Sequence, residues 1–381
     1  MKEKIVISSM FYPGVGGIEN SIRNIASSLT NMGLDCETVS FSTFKDARKQ
    51  KKHHYIKREG MYKLLKCLFS GEIASLLYAI FYLKRNFRNN IFFVSRHPLF
   101  AFAGVVLKFK KHIYIPPAIM SDFYIGVLND IKFSEKPLQY VKYHLISKIH
   151  QLYERVVANN RNVMIYTFSH NIKSQFENKY KKEAVVSEPG VDHSIFNFNQ
   201  TIQPKNKISF IYVGRLEYGK NVELLLSAFM KVDNSRFLLN VVGSGALETE
   251  LKARYQSENI VFLGTKIKGE LSVLYNQSDF TILPTYYEGF GQVLIESLCC
   301  GTKVIGFDSS IANTAVTQII ENDDYGLPIM ELGESGIKSI LTKIQAEKLY
   351  KYDKERVSKI SKSRFSWQSF CKNLINFNKG G

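Results

Sequence analysis

The sequence predicts an α/β protein built from two doubly wound domains, and three observations carry that expectation. At 381 residues the chain is too long for one ordinary core and suits two. A strand, a glycine-bearing loop and an amphipathic helix open the chain, and the same unit recurs from Ser209 onward. Between Leu283 and Ile305 the pattern returns as strand, glycine turn, helix and strand.

Composition narrows the class. Hydrophobic residues make up 45% and charged residues 22%, which are globular values. Lys2, Glu3 and Lys4 lead straight into Ile5, Val6 and Ile7, so no signal peptide is expected. No run reaches the roughly 18 apolar residues of a membrane span. Five cysteines, an odd number without a C-x-x-C pair, argue for reduced thiols in a cytoplasm and against a zinc site or disulfide framework. The net charge of +17 is uneven: residues 1–200 hold 29 Lys/Arg against 15 Asp/Glu, whereas residues 201–381 hold 22 against 19. An anionic partner follows: nucleotide, nucleic acid or an anionic membrane surface. The cations do not interleave with aromatics in an RNA-binding pattern, which counts against nucleic acid.

In order, Lys4 to Ser9 reads as a strand. Gly14, Gly16 and Gly17 follow in a loop, then a helix from Ile18 to about Met32 with Ile18, Ile22, Ile25, Ala26 and Leu29 on one face. The loop is either ligand-facing or a tight turn. Gly33 caps the helix and Cys36 to Phe41 is the next strand. Lys45 to Lys66 is dense in cations, and apolar residues from Leu64 to Leu83 follow, ending in Lys84, Arg85 and Arg88. That combination fits a segment on a membrane surface, or a solvated loop before a core helix. Ile91 to Val94 is a strand, with Arg96 and His97 at its carboxyl end, the edge where open α/β sheets bind ligands. Leu99 to Phe109 is a helix, His112 to Ile115 a strand ending in Pro116-Pro117, and Tyr140 to Val157 a long helix. Met164 to Phe168 is a strand, and Ser169 or Asn171 caps the helix after it. Asn197 to Lys207 is polar and reads as the linker, which sets a first domain at 1–197.

The second domain, 207–360, opens with the strand Ser209 to Val213 and the loop Gly214 to Asn221. Arg215 and Lys220 lie between this strand and the helix from Val222; cations at that edge neutralise a diphosphate. Phe237 to Val242 ends in Gly243-Ser244-Gly245, and Ile260 to Leu263 ends in Gly264. Lys268 to Ser278 is a helix and Phe280 to Leu283 a strand. Glu288 and Gly289 come next, and then Phe290, Gly291, Gln292 and Val293 at the start of a helix that Gly301 ends. Unpaired N–H groups at that helix start suit phosphate. Glu288 and Glu296 would repel phosphate but suit hydroxyls, so a ligand with a phosphate centre and hydroxyl-rich ends, a nucleotide sugar, is expected. Glu321, Asp323 and Asp324 read as a solvated turn, not a metal site. The last helix, within 361–381, follows Phe365-Ser366-Trp367.

Glu288 and Glu296 stand at the E-x7-E spacing of retaining glycosyltransferases with the GT-B fold, and PTYYEGFGQVLIESLCCGTKVI resembles the GT4 family. Gly214-Arg215 with Lys220 resembles that family's GR-x4-K pattern. The resemblance implies two Rossmann-like doubly wound domains facing a central cleft, with donor on the second, acceptor on the first and the last helix crossing back. It implies that Glu288 holds the donor sugar, Glu296 the ribose, and the turn between them the diphosphate. It further implies Thr265 and Lys266 beside the base, and Gly16 and Gly17 at the donor phosphate or acceptor. Gly243 is added as a donor-side loop. The family's histidine near the donor sugar is replaced here by Pro116-Pro117-Ala118, and His97 is the substitute candidate. Catalysis would rest on Glu288, Arg215, Lys220 and His97, with no metal and no cofactor beyond the nucleoside-diphosphate sugar. The expected role is hexose transfer to a glycan or lipid-linked acceptor in surface-polysaccharide assembly (lipopolysaccharide, O-antigen or capsule), at the inner face of the cytoplasmic membrane. A non-catalytic GT-B partner subunit and a basic nucleic-acid-binding protein are the alternatives.

Overall fold

The computed structural model describes residues 4–10, 17–41, 52–56, 63, 65–66, 71–87, 91–129, 137–201, 207–232 and 235–377. They divide into two compact units, one of Met1–Glu188 with Trp367–Gly381, the other of Pro189–Ser366.

In the first unit the strands are β1 (Lys4–Ser9), β2 (Cys36–Ser40), β3 (His53–Tyr55), β4 (Ile91–Ser95), β5 (Lys111–Tyr114), β6 (Val163–Thr167) and β7 (Ala184–Val186). All pair in parallel, in the order β3-β2-β1-β4-β5-β6-β7. Strands covered on both faces need continuous apolar runs, and Ile5-Val6-Ile7 and Ile91 to Val94 are buried throughout. The helices are α1 (Gly17–Asn31), α2 (Gly71–Asn86), α3 (Pro98–Val106), α4 (Met120–Asn129), α5 (Pro137–Asn159) and α6 (His170–Tyr180). Helix α1 buries Ile22, Ile25 and Leu29, and Gly33 at φ +77° turns the chain after it. Ser169 caps α6 by accepting from the Ile172 amide at 3.2 Å.

Two elements here escape the sequence reading. The paired histidines of the cationic stretch form β3, where His54 pairs with Glu37 at 2.7 Å; most of Lys45 to Lys66 lies outside the described residues. Helix α4 is capped through the fold and not locally. The buried Glu154 on α5 accepts from the Met120 amide at 2.7 Å, the Ser121 hydroxyl at 2.8 Å and the Tyr180 hydroxyl at 2.7 Å.

The second unit has β8 (Ile208–Val213), β9 (Phe237–Val242), β10 (Ile260–Gly264), β11 (Phe280–Leu283), β12 (Lys303–Phe307) and β13 (Gly326–Ile329), parallel in the order β10-β9-β8-β11-β12-β13. Its helices are α7 (Val222–Met230), α8 (Glu248–Tyr255), α9 (Lys268–Gln277), α10 (Gln292–Cys299), α11 (Val316–Ile319), α12 (Gly333–Ala346) and α13 (Lys354–Arg364). Strand order reverses between β8 and β11, and a sheet of this kind binds ligands beyond the carboxyl ends of its strands at such a reversal. The last helix, α14 (Trp367–Phe377), belongs to the first unit, where Phe370 packs edge-on against Tyr166 and Phe168.

The domain boundaries move from those expected. The first falls at Glu188/Pro189, ahead of the polar stretch, and the second at Ser366/Trp367, not at 360/361. Residues 189–199 pack on the second unit: Phe196 lies against Tyr275, Ser272 donates to the Ile195 carbonyl, and the Asn276 side chain bonds the backbone of Asn197 and Asn199. Polarity marked an exposed segment, but buried side chains decide which unit holds it. Among the described residues no helix is long and apolar enough to cross a membrane.

Candidate functional site

The second sheet is cleared for a ligand by glycine. Strands β8 and β9 run directly into Gly214 and Gly243, and β10 ends on Gly264. The three are joined in a row, the Gly214 amide donating to the Val242 carbonyl and the Gly243 amide to the Gly264 carbonyl, both at 3.0 Å. Gly243 has φ +135°, and a Cβ there would stand 1.8 Å from the Gly214 carbonyl oxygen. No other residue fits, and the backbone is left open to close approach.

Beyond β8 the chain makes one turn of 3-10 helix, Tyr218–Lys220, closed by Asn221 in the left-handed region at φ 52°. Asn221 donates from Nδ2 to the Pro284 carbonyl at 3.1 Å, tying the loop after β8 to the loop after β11. Lys220 then reaches across 68 positions of sequence to donate to Glu288 Oε2 at 2.8 Å. Both side chains are 24% exposed. Arg215 points outward, 67% exposed, and pairs with Glu217 at 2.9 Å.

The turn carrying Glu288 is braced from outside the motif. The Glu288 amide donates to the Asn313 carbonyl at 2.9 Å and the Asn313 amide to the Tyr286 carbonyl at 2.8 Å. Gly291, at φ +89°, is the N-cap of α10, and the Leu294 amide returns to its carbonyl. The amide groups of Gln292 and Val293 begin the helix, where no turn precedes them to accept. Phe290 is buried against Phe365 and anchors the turn from below. Thr285 Oγ1 and Gln292 Nε2 are buried without a hydrogen-bond partner among the described residues. Unpartnered polar atoms converging on a phosphate-type turn suit a polar ligand. Burial pushes the Glu296 carboxyl up to about 7, with Lys268 pulling the other way.

The remaining site residues fall as follows. Thr265 donates its hydroxyl to Ser244 Oγ at 3.2 Å, linking the ends of β10 and β9, and Lys266 pairs with Glu270 at 3.5 Å. Gly17 and His97 lie in the first unit; Gly17 starts α1 with nothing within 4 Å of its Cβ position among the described residues, and Gly16 lies outside them. His97 is the N-cap of α3, its Nδ1 accepting from the Leu99 amide at 3.2 Å. Burial and the facing His150 ring hold it neutral, so Nε2 is what it has left for a ligand. Asp324 is paired with Arg356 at 2.8 Å and Glu321 with Arg364 at 3.1 Å, and among the described residues no cluster of three acid, His or Cys side chains forms a metal site.

Asn221, Thr285 and Asn313 were not foreseen. Asn221 had a signal, since asparagine after Gly-Lys is a left-handed turn residue. Thr285 and Asn313 had none, because their roles depend on chain brought in from elsewhere in the sheet.

Two parallel six- and seven-stranded α/β units, one carrying a nucleotide-type turn at its strand reversal, define the GT-B class. Residues 194–322 match the family described as Glycosyl transferases group 1. A probable sucrose-phosphate synthase of Thermosipho melanesiensis is 26% identical over 326 residues, covering 81% of this chain and 74% of that protein. Among solved structures, WaaG, a glycosyltransferase involved in lipopolysaccharide biosynthesis, superposes with a TM-score of 0.71 at 15% identity, over 99% of this chain and 100% of that one. Anabaena Alr3699/HepE, solved in complex with UDP and glucose, gives 0.72 at 15% identity over 100% of both chains. Residues 194–322 are thus similar to group 1 glycosyltransferases, and the chain has the GT-B fold.

Proposed function

We propose that the chain is a retaining, GT4-type hexosyltransferase that takes its sugar from a nucleoside diphosphate. The observation that carries this is the contact between Lys220 and Glu288 at 2.8 Å, which brings the cation of one loop and the acid of another to a single point. A sugar diphosphate laid there meets opposite chemistries at its two ends. Lys220 and the α10 amides take the diphosphate, Glu288 takes sugar hydroxyls, and Glu296 takes ribose hydroxyls. Negative charge grows on the leaving phosphate as the sugar bond breaks, so fixed donors at that position lower the barrier. These groups supply the charge a divalent ion would otherwise provide, and transfer is expected to persist in excess chelator. The complex of Anabaena HepE with UDP and glucose favours a UDP-hexose donor, and the lipopolysaccharide role of WaaG favours a surface-polysaccharide acceptor on a lipid carrier at the inner membrane face.

A second reading, a non-catalytic partner subunit, is favoured by Pro116-Pro117 where GT4 relatives carry histidine. Thermal stabilisation by a panel of UDP-, GDP- and ADP-sugars, followed by hydrolysis of whichever binds, separates the two. Stabilisation with hydrolysis in chelator supports the transferase. Stabilisation without turnover supports the partner subunit, and no stabilisation by any nucleotide sugar sinks the donor site.

A further inference from the structure

We infer that the outer face of α5, with the neighbouring edge of α2, is a docking surface for an anionic lipid bilayer. This rests on the proposed lipid-linked acceptor only for its purpose, since its evidence is the face itself.

Helix α5 is amphipathic in an unusual sense. Its inner side is already filled by Ser147, His150, Tyr153, Glu154, Val157 and Ala158. Its outer side repeats Leu138, Val141, Leu145 and Leu152 at spacings of three, four and seven, which places them on one stripe. Leu138 is 87% exposed, Leu145 57% and Leu152 56%. These leucines are not leftover core, because the core side of the helix has its own occupants. Lys148 and Arg155 continue the same stripe and Lys142 borders it, all exposed. From Pro137 to Tyr153 there is no Asp or Glu at all.

Helix α2 repeats the arrangement. Leu77 and Phe81 stand exposed one turn apart, and Lys84 and Arg85 end the helix. Both α2 and α5 pack on α3, so the two faces belong to one layer. In the second unit the exposed large apolar residues, such as Tyr218, Ile267 and Met330, are scattered over separate elements.

Leucines ringed by lysines, with no acid on the face, select the occupant. A second copy of this chain would set Lys142, Lys148 and Arg155 against their own equivalents with nothing to neutralise them. A nucleic acid would use the cations and leave the leucines in water. An anionic bilayer uses both, the headgroups taking the cations and the acyl boundary the leucines. Each cation near such a surface raises partitioning by about fivefold.

The test uses the full-length protein and vesicles of phosphatidylcholine with or without phosphatidylglycerol. Sedimentation with the anionic vesicles only is expected. Partitioning is expected to fall by about tenfold or more in a Leu138→Ser/Leu145→Ser/Leu152→Ser variant, and comparably in Lys142→Gln/Lys148→Gln/Arg155→Gln. Leu145→Trp should shift its emission to the blue on anionic vesicles and be quenched by brominated lipid; the native chain has one tryptophan, the buried Trp367, as background. Nucleotide-sugar stabilisation of the variants reports on the donor site separately, so its failure overturns the proposed function and not this surface. No sedimentation with anionic vesicles overturns the inference. So does binding that the serine variant leaves unchanged, which would mean charge alone. A dimer that the serine variant dissociates, with vesicle binding unaltered, would make the face a self-interface.

Discussion

The carboxyl edges of the two sheets are built from opposite materials. On the second sheet three neighbouring strands run out in Gly214, Gly243 and Gly264, and the edge is bare backbone. On the first, the strand ends carry buried Ser8, Ser9, Ser40, Ser95, Arg96 and Thr167. Some of these side chains bond the neighbouring strands: Ser95 Oγ with His112 Nε2 at 3.0 Å, Arg96 with the Ile115 carbonyl at 3.2 Å. A bare edge lets a ligand come close to backbone atoms. A filled edge presents side chains in place of backbone, and among the described residues Arg96 Nε and the Tyr114 hydroxyl are buried there without a hydrogen-bond partner.

The sharpest way to break the comparison is Lys220→Ala. If the bare edge holds the diphosphate, kcat/KM should fall by about 100- to 1000-fold, as loss of one charge-stabilising group does. Near-normal turnover in steady-state assays would remove the donor from this edge. Gly243→Ala tests the bareness itself. With the Gly214 oxygen 1.8 Å from the new Cβ and φ at +135°, the second unit is expected to lose about 3 kcal/mol in urea unfolding. Gly17→Ala, with nothing within 4 Å of its Cβ position among the described residues, should change stability by less than about 1 kcal/mol.

Acidity offers a finer probe. Burial raises the Glu296 carboxyl from its ordinary 4.5 to about 7. Between those values the folded protein holds a proton that the unfolded chain has released, so this group's contribution to stability falls as pH rises from about 4.5 to about 7. If Glu296 holds the ribose hydroxyls, the ionised form is the stronger acceptor, so donor KM should rise as pH drops below about 7, and Glu296→Gln should flatten that profile. A pH-independent KM in the native enzyme would place the ribose elsewhere. A smaller effect belongs to the filled edge. His97→Ala removes the α3 cap and should cost about 1 kcal/mol of stability, with kcat little changed. A loss of kcat of about 100-fold without that destabilisation would make His97 a reacting group.

How legible each edge was follows from the same contrast. The glycine edge is local: strand, glycine, cation and helix succeed one another within a dozen residues, and the sequence displays Gly214 to Asn221 and Glu288 to Glu296 openly. What it does not display is distance in space. Nothing in the chain says that Lys220 meets Glu288, or that Asn313 supports the turn, because both contacts cross the sheet. The first unit was harder for a different reason. Helix α5 is apolar on two sides, Tyr153 and Val157 inward and Leu138 and Leu145 outward, so its periodicity showed a long helix and not which face is exposed. The cap of α4 comes from Glu154, 34 residues away, and leaves no local mark.

The ion pair between Lys220 and Glu288 has a consequence at the end of the catalytic cycle. An empty site in which these two groups neutralise each other is a competitor for its own ligands. On the proposed reading a nucleotide sugar would occupy both partners at once, the phosphate one and the sugar the other, and separate them. After transfer the nucleoside diphosphate alone would engage only the lysine. Glu288 would then be unmatched, within reach of its old partner, and the pull of that partner would act against the departing product. The pair would thus favour the intact donor over the spent nucleotide without any contact that tells the two phosphates apart. The site would be reset by the closing of the same 2.8 Å bond that the donor had to open.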